Sequence, residues 1–274
     1  MLKQERVAVN VDWDFFFKED PMWDWGHREA LIFLDLMWYN RFESFALSPR
    51  LGAQDLEHFY QPNRLYKRFW SKLESLGFDF SQALPLVGDS NIGAWSYFSG
   101  VPVKHVYNFD FHHDVAYHDL DKMVECGNWL GQLLKLKKRL TSTIVYPTKQ
   151  RRDEEFHLPE SVDSLVGSRV YATDLRSLEA APRKVNYLYI CRSGCWTPPW
   201  ADSQYIQFVS QVSNGNKPTW FAELLQNKEL DLANPLVPRS WDRAQALEQT
   251  EQFLKIVQAR REVANARHND EVQS

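Results

Sequence analysis

The stretch Val7-Ala8-Val9-Asn10-Val11-Asp12-Trp13-Asp14-Phe15-Phe16-Phe17 decides how this chain is read. A short apolar run, Val7 to Val11, ends in two carboxylates at alternate positions. The pattern recurs in Val106-Tyr107-Asn108-Phe109-Asp110-Phe111-His112-His113-Asp114. A strand sends successive side chains to opposite faces, so residues two apart share a side. Asp12 and Asp14 can therefore converge, as can Asp110 and His112, with Asp114 bending in as the chain leaves its strand. Four carboxylates and one imidazole form a ligand set for hard divalent cations such as Mn²⁺. Without a cation, so many like charges at the ends of apolar strands repel one another.

Working outward, further strands are predicted at Leu84 to Val87, Val103 to Phe109, Thr141 to Tyr146, Arg169 to Thr173 and Val185 to Cys191. Helices are predicted at Arg28 to Phe45, Gln54 to Leu76 (with a break near Pro62 and Gly77 as C-cap), most of Asp119 to Leu140, and Gln204 to Gln211. A long C-terminal helix spans about 240–266, with Ser240 as N-cap. Lys149 to Ser161 reads as a charged surface loop, Cys191 to Asp202 as a Pro- and aromatic-rich loop, and Asn214 to Lys217 as a turn. Alternating strands and helices predict one α/β domain over residues 1–274, a three-layer αβα arrangement with a mostly parallel sheet. Ligand sites in such sheets lie beyond the carboxyl ends of the strands. Both acidic clusters sit there.

The length of 274 residues suits one large domain. A net charge of -4 makes nucleic acid an unexpected partner. No run is long and apolar enough to cross a membrane, and no secretory signal is visible, so no membrane partner is expected. Cys126, Cys191 and Cys195 make neither a disulfide framework nor a zinc site, and the expected compartment is a reducing cytoplasm. The 11 Trp and 17 Phe exceed the needs of a core this size, which predicts that some line a groove or an interface. A homo-oligomer is compatible with the sequence.

These motifs resemble those of the ureohydrolase superfamily of arginases, agmatinases and related deacetylases. Asp110-Phe111-His112-His113-Asp114 is similar to its Asp-x-His-x-Asp motif, and Asp12-Trp13-Asp14 to its Asp-x-Asp motif. Gly88-Asp89-Ser90 resembles its Gly-Asp-His motif, and Gly127-Asn128-Trp129-Leu130-Gly131-Gln132 its substrate-binding loop. The Phe run after Asp14 and the segment Arg192 to Pro199 look most like the peptide arginases, which convert arginine to ornithine in ribosomally made peptides. Three departures stand out. Asp-x-Asp comes first in the chain, so the motif order looks permuted. Ser90 replaces a histidine ligand, which leaves Gly88-Asp89-Ser90 readable as a plain strand-ending turn. Leu130 replaces a histidine proposed as proton shuttle.

The resemblance implies an arginase-like fold and two Mn²⁺ ions. Asp12 and Asp110 would bridge them, with Asp14 and His112 completing one site and Asp114 serving the other. It implies hydrolysis of arginine side chains in an arginine-containing peptide to ornithine and urea, a post-translational modification in natural product biosynthesis. Asp114 and His113 are the candidate catalytic residues, with His118 and His27 as further proton carriers. Glu125, Asn128 and Asp202 are the candidate substrate-binding residues, a carboxylate being matched to a guanidinium fork. Two other readings stand beside this one. One is a hydrolase of the same superfamily acting on a free small molecule, as arginases, agmatinases or deacetylases do. The other is a metal-free peptide-binding protein on a decayed hydrolase scaffold, suggested by Ser90 and Leu130.

Overall fold

Strand β1 (Val7–Asp12) is buried along its whole length and lies inside a seven-stranded sheet. The computed structural model describes residues 6–18, 34–46, 56–58, 60–117, 119–212, 236 and 238–273. The other strands are β2 (Phe78–Asp79), β3 (Leu84–Gly88), β4 (His105–Phe109), β5 (Thr141–Tyr146), β6 (Val170–Asp174) and β7 (Arg183–Cys191). The order runs β7-β1-β4-β5-β6, with β2 and β3 pairing successive parts of the far edge of β7. Every described pairing is parallel. Register places Val11 beside Phe109 and Asp12 beside Cys191, so the acidic ends of β1 and β4 come out side by side.

Alternation along the strands sorts residues into two apolar layers. Val9, Val11, Phe109, Val145, Leu188 and Ile190 face helices α1 (Leu34–Ala46), α2 (Phe69–Ser75) and a later helix, Asp202–Ser210. Ala8, Val106, Ile144, Tyr146, Tyr189 and Cys191 face α3 (Asn91–Gly100), α4 (Trp129–Leu136) and, past α5 (Lys149–Glu155), α6 (Glu160–Val166). The Asp202–Ser210 helix is α7, and α8 (Arg243–Gln273) follows it. The chain is thus an α/β fold with helices on both faces of a parallel sheet. By the same alternation Asn10, Asp12, Asn108 and Asp110 belong to the face covered by α3 and α4.

The first layer absorbs much of the aromatic excess. Trp13 alone meets the rings of Phe16, Phe17, Tyr66, Tyr205 and Phe208, with centroids 5.1–5.9 Å away. These rings fill the interior instead of lining a groove.

Several helix boundaries differ from expectation. Between Gln54 and Leu76 the chain breaks after Pro62: Asn63 accepts from the Leu65 N–H and starts a 3-10 turn, Arg64–Arg68, before α2. Gly77 closes this region at φ +90°, as a C-cap does. Of Asp119 to Leu140 only Cys126–Asn128 (3-10) and α4 are helical, because Asn128 Oδ1 takes the Glu125 N–H and sets the start. Gly131 lets α4 lie against the preceding segment; a Cβ there would stand 2.1 Å from the Val115 carbonyl. The charged stretch from Lys149 holds two short helices, α5 and α6, the first capped by Thr148 accepting from the Arg151 N–H. Helix α8 begins at Arg243, and Asp242, not Ser240, caps it by accepting from the N–H groups of Ala244 and Gln245. The start of the first predicted helix and the Asn214 to Lys217 turn lie outside the described residues.

Candidate metal centre

Asp12 ends β1, and Asp14 sits two residues later in a 3-10 turn held by its own N–H donating to Asp12 Oδ1 at 3.2 Å. Asp110 follows β4, and its Oδ1 takes the His112 N–H at 2.8 Å, which turns the chain so that His112 and Asp114 fold back. Asp114 completes the turn at φ +52°, a left-handed conformation that Asp tolerates better than most residues. The outcome is two overlapping groups of ligand atoms, each within 4.8 Å: Asp14, Asp110 and His112, and Asp12, Asp110 and Asp114. All five residues singled out for metal from the sequence therefore meet, with Asp110 common to both groups.

The electrostatics are those of crowded buried acids. Burial, then the charges of Asp14, Asp110 and Asp114, hold the Asp12 carboxyl well above the usual range. Burial and then Asp14 push Asp110 up to about 7. Asp114 is raised by burial and by Asp110 and Asp14, and it shares a hydrogen bond with Asp110. Burial pulls the His112 imidazole down, but its 3.0 Å contact with Asp14 and the nearby negative charges prevail and raise it. A divalent cation among these carboxylates would offset the like charges that raise them.

The donor chemistry separates the two groups. Asp14, Asp110 and His112 offer carboxylate oxygens and an imidazole nitrogen, a set that fits Mn²⁺. His112 is also the group's opening to solvent, its side chain 22% exposed against 4% for Asp14 and none for Asp110. Trp196 and Tyr117 flank its ring at 5.2 and 5.9 Å. In the other group the space between the carboxylates already holds a donor. Asn91 Nδ2 lies 2.7 Å from Asp12 Oδ2, 2.8 Å from Asp114 Oδ2 and 3.5 Å from Asp110 Oδ2. Trp129 Nε1 also donates to Asp114 Oδ2, at 2.9 Å.

Asn91, Trp129, Asn10 and Asn108 were not singled out from the sequence. Asn10 and Asn108 had a readable signal, since each stands two residues before a cluster aspartate on the same face. Asn91 had none: it follows Ser90, the position that the motif points to. Ser90 itself caps α3 by accepting the Ile92 N–H at 3.1 Å. Tyr146 at the end of β5 was missed too. Its hydroxyl is buried without a hydrogen-bond partner, and burial, then Asp110, hold its proton more tightly than usual.

The other sequence candidates have different surroundings. His113 is buried, stacks on Tyr117 at 4.1 Å and accepts the Val115 N–H on Nδ1 at 2.9 Å. Burial, then His112 and Arg151, depress its pKa to about 3. Asn128 is committed to its turn, accepting from Glu125 and donating to the Met123 carbonyl at 3.1 Å, and Glu125 stands at the N-cap. Asp202 does hold guanidinium groups, but they belong to this chain: Arg239 grips it through Nη2 at 2.6 Å and Nε at 2.9 Å, and Arg192 reaches it at 3.2 Å. Arg192 in turn binds Asp89 of the Gly88-Asp89-Ser90 turn. Leu130 is buried, and its N–H donates to the Asp114 carbonyl at 3.0 Å. His27 and His118 lie outside the described residues.

The segment from Arg192 to Trp200 packs inward. Trp38 Nε1 donates to the Gly194 carbonyl at 2.9 Å, Tyr60 to that of Trp196 at 3.0 Å, and Trp200 Nε1 to that of Tyr60 at 3.0 Å. Cys126, Cys191 and Cys195 are buried and form no disulfide with one another. Among the described residues no helix is long and apolar enough to cross a membrane.

No family model matches the chain, and no solved structure matches it significantly. A 102-residue stretch, 36% of the chain, is 33% identical to a protein of Alternaria alternata described as "Nonribosomal peptide synthetase TES". The match spans 2% of that protein.

Proposed function

We propose that this chain is a Mn²⁺-dependent hydrolase that converts arginine side chains within a peptide to ornithine and urea. The observation that carries the reading is the meeting of Asp12, Asp14, Asp110, His112 and Asp114 at the carboxyl edge of a parallel sheet, on one shared aspartate. The resemblance to ureohydrolase motifs supplies the substrate class. Asp14, Asp110 and His112 would hold the ion. When bound, it supplies a Lewis acid and lowers the pKa of a coordinated water.

The residues of the chain do the rest. Asp110 is fixed by the His112 N–H and by Asn108 Nδ2 at 3.1 Å, so its carboxylate is aimed before any ligand arrives. The Trp196 and Tyr117 rings bound the approach to His112 and offer aromatic faces to an arriving guanidinium. Hydrolysis adds water to the guanidinium carbon, breaks its bond to Nε and leaves a proton on the departing amine. His113 is poorly suited to supply that proton, being neutral down to about pH 3. Asp202 is saturated by Arg239 and Arg192, so the reading does not use it to hold substrate.

The test is urea release by Mn²⁺-loaded protein, comparing arginine-containing peptides with free arginine and with Asp110→Ala as control. Urea from peptides alone, lost in the control, is the expected result. Urea from free arginine would favour the small-molecule reading, and none from any substrate would sink the arginine chemistry. One observation favours the metal-free binding protein as a second reading: an amide already sits among Asp12, Asp110 and Asp114. Absence of bound Mn²⁺ after reconstitution would select it.

A further inference from the structure

We propose that the Asn91 side-chain amide occupies the second cation position, so that this chain binds a single ion, at Asp14, Asp110 and His112. The inference rests on the reading of the cluster as a metal centre, and departs from the two-ion arrangement that the sequence motifs imply.

The argument begins with what the Asp12, Asp110 and Asp114 oxygens face. A divalent ion in that group would sit between them as a positive centre. Asn91 Nδ2 stands there instead, with two short hydrogen bonds, 2.7 Å to Asp12 and 2.8 Å to Asp114, and a long one of 3.5 Å to Asp110. An amide NH₂ carries hydrogens and no available lone pair, so it cannot ligate a metal. A cation could enter only if the amide turned over to present Oδ1, or left.

Turning over is opposed by a closed circuit of buried amides. Asn10 Nδ2 donates to Asn91 Oδ1 at 3.1 Å and to Asn108 Oδ1 at 2.7 Å. Asn108 Nδ2 donates to Asp110 Oδ2 at 3.1 Å. Asn10 is the apex from which two arms run, and each arm ends with an amide, Asn91 or Asn108, donating to a carboxylate. If Asn91 turned, its NH₂ would face that of Asn10. Asn10 would have to turn in response, and then Asn108, which would set an amide oxygen against the Asp110 carboxylate. The circuit's strength shows at its apex: Asn10 Oδ1 is buried and has no hydrogen-bond partner. Such an orphan is costly, so the present orientation persists because both carboxylate ends demand it. Leaving is opposed as well, since Asn91 is only 2% exposed and is the first residue of α3.

Among the described residues no side-chain amide bridges Asp14, Asp110 and His112; Asn108 reaches Asp110 alone, and the Phe111 N–H reaches Asp14 Oδ1 at 3.4 Å. There the contact is between His112 Nδ1 and Asp14 Oδ2, and a ring nitrogen can exchange its proton for a metal.

The experiment counts ions. Wild-type protein, Asn91→Asp and Asn91→Ala are loaded with Mn²⁺, freed of excess metal and measured for manganese per chain. EPR then distinguishes isolated ions from exchange-coupled pairs. Asn91→Asp keeps the shape of the side chain while removing its donors and adding a ligand; Asn91→Ala opens space for water. The expected result is one isolated ion per wild-type chain, rising towards two coupled ions in Asn91→Asp, with Asn91→Ala deciding if Asn91→Asp does not fold. Two coupled ions in the wild-type chain would overturn the inference and leave the metal centre standing. One ion in the wild type and in both folded variants would overturn it by showing that Asn91 is not what limits binding. No ion in any of the three would overturn both the inference and the metal reading.

Discussion

His112 Nδ1 stands 3.0 Å from Asp14 Oδ2, and this pair joins the turn after β1 to the turn after β4. The ring is the partly exposed member of a group whose carboxylates are buried, so an ion arriving from solvent would meet it first. His112→Ala is expected to weaken Mn²⁺ binding at least about tenfold, the smallest loss expected when even an indirect support of a site is removed. Calorimetric titration of the two proteins checks it. An unchanged dissociation constant would place the ion elsewhere.

Asp114 is an acid where the metal-free protein is better served by an amide. Its Oδ2 accepts from Asn91 and Trp129, and it shares a hydrogen bond with Asp110. Asp114→Asn could keep the two donors on its oxygen and donate its NH₂ to Asp110. It removes one of the crowded like charges, and Asn is at home at φ +52°. Metal-free Asp114→Asn should gain about 1 kcal/mol, or roughly 2–4 °C in Tm for a domain of this size. Asp114→Ala should lose stability, because Trp129 Nε1 is stranded and Ala fits the left-handed turn poorly. Thermal melts of the three proteins without metal decide this; a lower Tm for Asp114→Asn would contradict it.

The parts of the fold legible in the sequence were short apolar or β-branched runs that end in polar or turn residues. Val7 to Val11 and Thr141 to Tyr146 read as strands because they are short and rich in β-branched residues, and register then carries Asp12 and Asp110 together without further information. Helix limits were less legible, since they depend on caps such as Asn128 and Asp242 whose effect is tertiary or local to a single hydrogen bond. Asp202 was a reasonable candidate for a guanidinium partner on chemical grounds. What the sequence lacked was the distance from Asp202 to Arg239, 37 residues on. Asn91 was invisible for a similar reason: the motif directs attention to Ser90, and only the orientation of the α3 N-terminus shows that the next residue points into the cluster.

At the opposite end of β4, His105 makes stability depend on pH independently of the centre. Its Nδ1 and Nε2 lie 2.7 and 3.1 Å from the hydroxyls of Thr141 and Thr143. Burial, and then the Arg183 charge, lower its pKa from 6.5 to about 4. Between those values the unfolded chain binds a proton that the folded chain refuses, so the His105 contribution to stability falls as pH drops from 6.5 towards 4. At about 1.4 kcal/mol per pH unit the loss is on the order of 2–3 kcal/mol. The buried acids Asp12, Asp110 and Asp114, raised in the folded chain, act in the opposite direction over the same range, so the check is a difference: urea unfolding of wild type and His105→Gln should diverge by that amount between pH 6.5 and 4. Parallel pH profiles for the two proteins would remove His105 from the account.

Asp202 and Arg239 make a structural prediction that opposes a substrate-binding role. Arg239 spans Asp202 with two side-chain bonds, its backbone N–H adds a third at 2.7 Å, and its remaining donors reach the carbonyls of Gly194 and Thr197. Arg192 joins the same carboxylate to Asp89. The network thus ties the turn after β3, the end of β7 and the start of α7 to the segment before α8. Removing one member leaves buried guanidinium charge without its partner, a change that typically costs about 3–5 kcal/mol. Asp202→Ala should therefore unfold at markedly lower denaturant concentration. If Asp202 instead served substrate alone, the variant would melt like the wild type and lose only binding. Arg239→Met separates the cases further: it should also destabilise, although it touches no candidate ligand of the centre.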